Sequence, residues 1–127
     1  MFKDTPAFSG FSVDDQAAAQ KFYGETLGLS VSSDEMGLEI QLAGGGKVFV
    51  YPKPNHQPAS YTMLNFVVSD IDKAVADLKA KGVQLEVYPD MHQDENGIAR
   101  GRAAGMGPDI AWFKDPAGNI LAVLQND

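Results

Sequence analysis

The sequence predicts an α+β fold that is built from two βαβββ repeats. Three observations support this: an ordinary globular composition, an internal repeat, and the same order of strand and helix patterns in both halves. The chain has 127 residues, 44% hydrophobic and 21% charged, which suits one globular domain. We expect a first module over about residues 6–52, a linker over about 53–59 and a second module over about 60–127.

The internal repeat consists of two short apolar stretches that each run into the start of a helix. FSGFSVDD near the N-terminus is followed by MLNFVVSD after 55 positions (68 − 13). This shift aligns Val13 with Val68 and Asp15 with Asp70. Both stretches are rich in β-branched and aromatic residues, which favours a strand in each. Self-similarity over most of the chain indicates a duplicated unit.

Each repeat continues with a helix that begins at one of these aspartates. Asp70 is a good N-cap, and the apolar residues after it follow helical spacing until Gly82, a natural C′ residue. Asp15 caps the equivalent helix of the first half, which Gly28 ends. The residues with helical spacing are Ala18, Ala19, Phe22 and Tyr23 in the first half and Ile71, Ala74, Val75 and Leu78 in the second.

Three further strands are predicted in each repeat. One follows the helix directly, over residues 29–32 in the first half and 83–88 in the second. The other two flank a turn, which is formed by glycines 44–46 in the first half, because glycine takes positive φ freely. The Asp-Pro-Ala-Gly sequence at 115–118 forms the turn in the second half. The flanking strands are predicted over 38–43, 47–51, 109–114 and 119–124.

An insert of about twenty residues, 89–108, occurs in the second half only. It is polar and glycine-rich, without helical or strand periodicity, and such long loops usually serve a function or are disordered. It contains both arginines of the chain, Arg100 and Arg102, whose guanidinium groups suit carboxylates and phosphates. We interpret these arginines either as solvated surface or as part of a mobile lid that brings Arg100 over a binding cleft, with Arg102 the second candidate.

The composition excludes several classes of function. The chain has no cysteine, which removes disulfides, thiolate metal sites and cysteine nucleophiles. Ten Lys and Arg against 17 Asp and Glu give a net charge of −7, so we expect neither nucleic acid nor a membrane surface as partner. The first residues lack an apolar signal region, and no apolar run reaches membrane-spanning length. We expect a cytoplasmic protein.

Three groups of motifs carry a resemblance to a known superfamily. They are the junctions Val-Asp-Asp at 13–15 and Val-Ser-Asp at 68–70, the run FYGETLGL at 22–29, and WFKDPAGN at 112–119. With them the chain resembles, over almost its whole length, the vicinal oxygen chelate superfamily, which includes glyoxalase I, bleomycin-resistance proteins and extradiol dioxygenases. The resemblance implies that the strands of the two βαβββ modules form a curved mixed sheet, a half-open barrel with the helices outside and a cleft on its concave side. It also implies a homodimer.

The same resemblance indicates where a metal would be bound, and the residues at those positions are apolar. Relatives with a metal carry a His or Gln five residues before the junction valine, which corresponds to Phe8 and Met63. Their other ligands lie on the last strand of each module and correspond to Val50 and Ala122. An error of one residue at Val50 brings in only aromatic side chains. Divalent metals need oxygen, nitrogen or thiolate donors, so we expect no metal and no cofactor.

The two histidines leave a second function open. His56 in the linker and His92 in the insert, with a carboxylate from Asp90, Asp94 or Glu95, could hold a metal outside the usual strands. The protein would then be a lyase, isomerase or dioxygenase with altered ligands. The other interpretation is two solvated histidines, since loop ligands lack the rigid support that metal geometry requires.

The leading prediction is a metal-free protein that binds a small, partly apolar organic molecule in the concave cleft, as the bleomycin-resistance branch does. Side chains alternate between the faces of a strand, so Gly10 and Ser12 share a face with Phe8, and Asn65 shares one with Met63. Small residues beside large ones leave room, and one amide in an apolar cleft is typical of small-molecule sites. The apolar residues could equally fill the core.

Trp112, the single tryptophan, is interpreted as core packing or as a stacking wall for a planar ligand. No residue of the chain is assigned a catalytic role. The predicted ligand-binding residues are Phe8, Val50, Tyr51, Met63, Asn65, Arg100, Trp112 and Ala122.

Overall fold

The structure, a computed structural model, describes residues 1–126. The chain forms two compact units, Met1–Pro58 and a second that begins at Ala59, and each contains one βαβββ repeat. The α+β class and the two repeats are confirmed. The strands belong to two four-stranded mixed sheets, one in each repeat, and neither sheet closes on itself within the described residues. Residue 127, the predicted end of the second module, lies outside the described part.

Repeat 1 forms sheet 1. Its elements are β1 (Ser9–Val13), α1 (Gln16–Lys21), a π-helical turn (Phe22–Thr26), β2 (Ser30–Asp34), β3 (Gly37–Gln41) and β4 (Lys47–Pro52). The order in the sheet is β1-β4-β3-β2, with β1 parallel to β4 and the other pairs antiparallel. The helix begins as predicted, because the Asp15 carboxylate accepts a hydrogen bond from the Ala18 N–H at 3.1 Å.

Repeat 2 forms sheet 2. Its elements are β5 (Thr62–Val67), α2 (Ile71–Ala80), a 3₁₀ turn (Pro89–Met91), β6 (Ala99–Arg100), β7 (Asp109–Lys114) and β8 (Ile120–Gln125). The order is β5-β8-β7-β6, with β5 parallel to β8. Asp70 caps α2 by accepting a hydrogen bond from the Lys73 N–H at 3.1 Å. In residues 1–126, no helix is long and apolar enough to cross a membrane.

The predicted strand over residues 83–88 is wrong. Only an isolated bridge joins Leu85 to Phe113 there, and the fourth strand of the sheet is β6, inside the insert. The Gln93 side chain explains the difference, because it accepts a hydrogen bond from the Tyr88 N–H at 2.7 Å and donates to the Glu86 carbonyl at 2.8 Å. These backbone groups are therefore bonded to a side chain of the insert rather than to a neighbouring strand.

Candidate binding site

The two faces of sheet 2 are distinguished by α2. Arg100 of β6 lies opposite Asp109, and its guanidinium reaches Asp72 of α2 at 2.6 Å, so this face is turned toward the helix. Residues one position along the strand point the other way. The face turned away from α2, called here the open face of sheet 2, therefore carries Trp112 and, directly opposite it, Ala122.

A pocket with a volume of about 400 Å³ lies in repeat 2. Trp112 and Ile120 of the open face contribute to its lining, and the 3₁₀ turn of the insert contributes another side of it. The lining residues are Ser60, Tyr61, Thr62, Tyr88, Pro89, Asp90, Met91, Trp112 and Ile120. A concave, mainly apolar lining with a few polar groups is the usual character of a small-molecule site.

The orientation of the Trp112 ring is fixed from two sides. Its Nε1–H donates to the Thr62 Oγ1 at 3.1 Å, and its ring meets Tyr88 at a centroid distance of 5.5 Å and an angle of 74°. Trp112 is only 8% exposed and packs with Ala99 and Ala122 in one hydrophobic cluster. Trp112 therefore belongs to the core, as one interpretation expected, and it also lines the pocket, while its stacking against a planar ligand stays a prediction.

Tyr88 gives the pocket a buried phenol. Its hydroxyl oxygen is buried and has no hydrogen-bond partner among residues 1–126. Burial raises the pKa of Tyr88, the charge of Glu86 raises it further, and Lys114 acts in the opposite direction. The phenol is therefore neutral at ordinary pH, and its ring is available for packing against a ligand.

The pocket residues that sequence reasoning missed come mainly from the insert and its borders. Tyr88 was assigned to a strand, and Tyr61 and Met91 lie outside every predicted element. The turn ends at His92, which takes a left-handed conformation with φ 51°, uncommon outside glycine. No periodic signal marks such a turn, so the sequence pattern did not predict it.

Three other predicted residues of repeat 2 are not among the pocket residues. Ala122 is completely buried beside Trp112. Asn65 lies opposite Ala122 in the register and is exposed. Met63 is half-buried where the register of β5 shifts between Thr62 and Leu64. Because of this shift, a count of positions along the strand does not assign the face of Met63.

The predicted residues of repeat 1 lie on different faces of sheet 1. Val50 is fully buried and lies opposite Phe11, whose ring contacts Tyr23 at 5.9 Å, so it belongs to the side that packs under the helix. Tyr51 lies on the other face, stacked on Phe49 at 5.8 Å and 18°. Phe8 precedes β1 and is 72% exposed.

Arg100 lies on the α2 side and does not line the pocket. Its Nε donates to Asp94 at 3.0 Å, and its Nη2 donates to Asp72 at 2.6 Å. These hydrogen bonds raise the pKa of Arg100, the one that Asp72 accepts most of all. The same bond holds the pKa of Asp72 below its usual range. Arg100 therefore ties the insert to α2, and this position gives no support to its predicted contact with a ligand.

The side chains do not fit a metal centre. The positions at which the resemblance predicted metal ligands carry Phe8, Val50, Met63 and Ala122, of which only the methionine offers even a weak donor. Residues 1–126 contain no cluster of three or more His, Asp or Glu side chains suited to a metal ion. His56, one of the loop residues considered above as a metal ligand, has its Nδ1 at 2.6 Å from the Ser12 hydroxyl oxygen.

Comparison with known proteins identifies the family. The model of the Glyoxalase/Bleomycin resistance protein/Dioxygenase superfamily matches residues 8–123. The chain belongs to this superfamily.

Individual relatives are distant but cover the whole repeat structure. An uncharacterized protein of Bacillus subtilis (strain 168), YraH, is 27% identical over 89% of this chain and 91% of its own. A glyoxalase family protein from Bacillus anthracis has a similar structure, with a TM-score of 0.70, 18% identity and full coverage of both chains. TnmS3, an antibiotic binding protein from Streptomyces sp. CB03234, gives a TM-score of 0.67 at 24% identity over 98% of each chain.

Proposed function

We propose that this protein binds a small, partly apolar organic molecule in the pocket of repeat 2, without a metal or other cofactor. The observation that carries the proposal is the aromatic lining, in which the rings of Trp112 and Tyr88 stand at 74° to each other beside an opening of about 400 Å³. Burial of apolar ligand surface there contributes about 25 cal/mol per Å² before ordering costs. The antibiotic-binding activity in the name of TnmS3 is consistent with this class of function.

Binding without a metal is favoured over the metalloenzyme alternative by the chemistry of the side chains. Asp94, the loop carboxylate with the most hydrogen bonds, already accepts from the N–H groups of Asn96 and Ile98 and from Arg100. A metal would have to displace these donors. We expect the purified protein to carry no stoichiometric Ni, Zn, Fe or Mn by metal analysis, with a Tm that a chelator leaves unchanged. One tightly held metal per chain would favour the enzyme.

We also propose that the protein is a homodimer, as the family resemblance implies. Large apolar side chains are exposed on both repeats, with Phe8 at 72% and Val67 at 69%, and exposed apolar groups of this size are candidates for an interface. Sedimentation equilibrium measures the mass directly. A monomer at every concentration tested would overturn the dimer without affecting the pocket.

The pocket is tested with the indole N–H of Trp112, which gives a single NMR signal because the chain has one tryptophan. We expect 2-naphthol to shift this signal in a saturable manner. Ser60→Phe, which fills the pocket from an exposed lining position, abolishes the response. The matched control Ser32→Phe, on an exposed position of β2, preserves it. An unresponsive indole, or equal responses in both variants, would contradict the proposed site.

A further inference from the structure

We propose that the pocket of repeat 2 selects an organic cation, a quaternary ammonium or a protonated amine, over a neutral molecule of the same shape. The inference rests on the proposed function and specifies its ligand class. It depends on the combination of aromatic rings with one carboxylate, and on the charges that surround them.

The charge of the lining has one sign. Asp90 is the one formally charged residue among the described residues that line the pocket. Its carboxylate makes no hydrogen bond or ion pair with another residue in the part of the chain from 1 to 126. An anionic ligand beside this carboxylate would lose its hydration, and no lysine, arginine or histidine in the lining would compensate for that loss. An anion is therefore disfavoured.

The rings supply the attraction for a cation. Tyr61, Tyr88 and Trp112 all line the pocket, and the faces of aromatic rings carry negative electrostatic potential. The rings of Tyr88 and Trp112 make a T-shaped contact at 74° and 5.5 Å, so their planes lie at a steep angle to each other. Tyr61 is 69% exposed and lines the same pocket. Several aromatic faces around one volume form the arrangement that recognises quaternary ammonium groups.

Lys114, a cation on the open face, does not oppose this selection. Lys114 lies opposite Ile120 in the register, and Ile120 belongs to the lining. Its ammonium is 3.5 Å from the Glu86 carboxylate, so its charge is largely compensated locally. The whole chain carries a net charge of −7, which raises the local concentration of cationic molecules at low salt.

The test compares phenyltrimethylammonium with tert-butylbenzene, two probes of nearly the same shape that differ in a charged nitrogen in place of a carbon. Titrations follow the Trp112 indole signal in the intact protein. We expect the cation to bind about five- to tenfold more tightly. Equal affinities, or tighter binding of the neutral probe, would overturn the inference and leave the binding pocket standing. If neither probe shifts the signal, both the pocket and its selectivity are wrong.

Two variants assign the preference to its sources. Tyr61→Leu keeps an apolar side chain but removes one aromatic face, and it should weaken the cation alone, about threefold. Asp90→Asn should also weaken only the cation, about twofold, since this carboxylate is exposed and screened by solvent. The control Asp4→Asn removes an exposed charge of repeat 1 and should change neither affinity. A full preference retained in both test variants would overturn the assignment to these residues.

Discussion

The two repeats share a framework and differ in what they place on the face turned away from the helix. In sheet 1 this face carries polar side chains, among them Glu39 paired with Lys47 at 3.4 Å, beside the stacked rings of Phe49 and Tyr51. In sheet 2 the equivalent face carries Trp112, and Tyr88 and the 3₁₀ turn of the insert lie beside it. One duplicated fold therefore supports a mixed surface in one copy and a candidate binding pocket in the other, and the difference comes from strand residues together with the insert.

The turns before the last strands of the two repeats also differ, in how far a side chain fixes their geometry. Repeat 1 uses three exposed glycines, at positions 44–46. Repeat 2 uses Asp115, only 4% exposed, whose carboxylate accepts from the N–H groups of Ala117 and Asn119 and from the Asn119 amide, all at 2.9 Å. A buried carboxylate with several donors fixes one turn geometry, whereas glycines permit several. Repeat 2 is thus the more rigid support for a site.

The largest expected effect comes from removing that carboxylate. Asp115→Ala should lower the free energy of unfolding by about 3 kcal/mol, because it leaves buried donors without their acceptor. Urea titration, followed by the fluorescence of Trp112 in the same repeat, measures the change. The matched variant Asp34→Ala removes an exposed carboxylate that accepts from the N–H of Met36 and of Gly37, and it should cost about 1 kcal/mol or less. Equal losses of unfolding free energy in the two variants would show that the two carboxylates contribute alike and would contradict this difference between the repeats.

An intermediate effect is expected at the tether of the insert. Arg100→Gln should lower Tm by about 5 °C, because the insert loses its bonds to Asp72 and Asp94 and buried Asp109 loses a nearby positive charge at 3.7 Å. Differential scanning calorimetry gives the shift. Lys73→Gln serves as control, since it removes the fully solvated pair with Asp77 on the same helix. A Tm of the Arg100 variant within 1 °C of the control would show that the insert needs no tether.

Acid should weaken the same tether. The hydrogen bond from Arg100 holds the pKa of Asp72 below its usual range. For Asp94, burial acts to raise the pKa, but the bonds from the Ile98 N–H and Arg100 outweigh it and lower the pKa. A lowered pKa in the folded state contributes stability above the unfolded value, and this is lost as pH falls through the folded value. Stability should therefore fall below about pH 4, more steeply in the native protein than in Arg100→Gln; parallel curves from urea titrations would contradict this.

The smallest effects are expected at the helix N-caps, a feature that the two repeats share. Asp15 and Asp70 make the same N-cap hydrogen bond, at 3.1 Å in each case, so Asp15→Ala and Asp70→Ala should each cost about 1 kcal/mol. Circular dichroism in urea measures both. A difference of more than about 1 kcal/mol would mean that the helices differ in their tertiary support despite their matching caps.

Much of the framework could be predicted because its signals are local. The caps at Asp15 and Asp70 and strand β7 over Asp109–Lys114 follow from residue type and spacing alone. Site residues were harder. Trp112 was identified because a lone tryptophan at a strand end is conspicuous, whereas Val50 was assigned by counting along a strand and lies in the core. An error of one residue in such a count assigns a side chain to the opposite face of the strand.

The sequence by itself determined the duplication and the starts of both helices, because each depends on residue type at a fixed spacing. Only the tertiary structure decided that β6 completes sheet 2, that Gln93 holds the backbone around Tyr88, and that Arg100 faces α2 rather than the pocket. These features are side-chain contacts between segments far apart in sequence or inside an aperiodic loop. Such contacts form only after the strands are in place, so no periodic pattern records them.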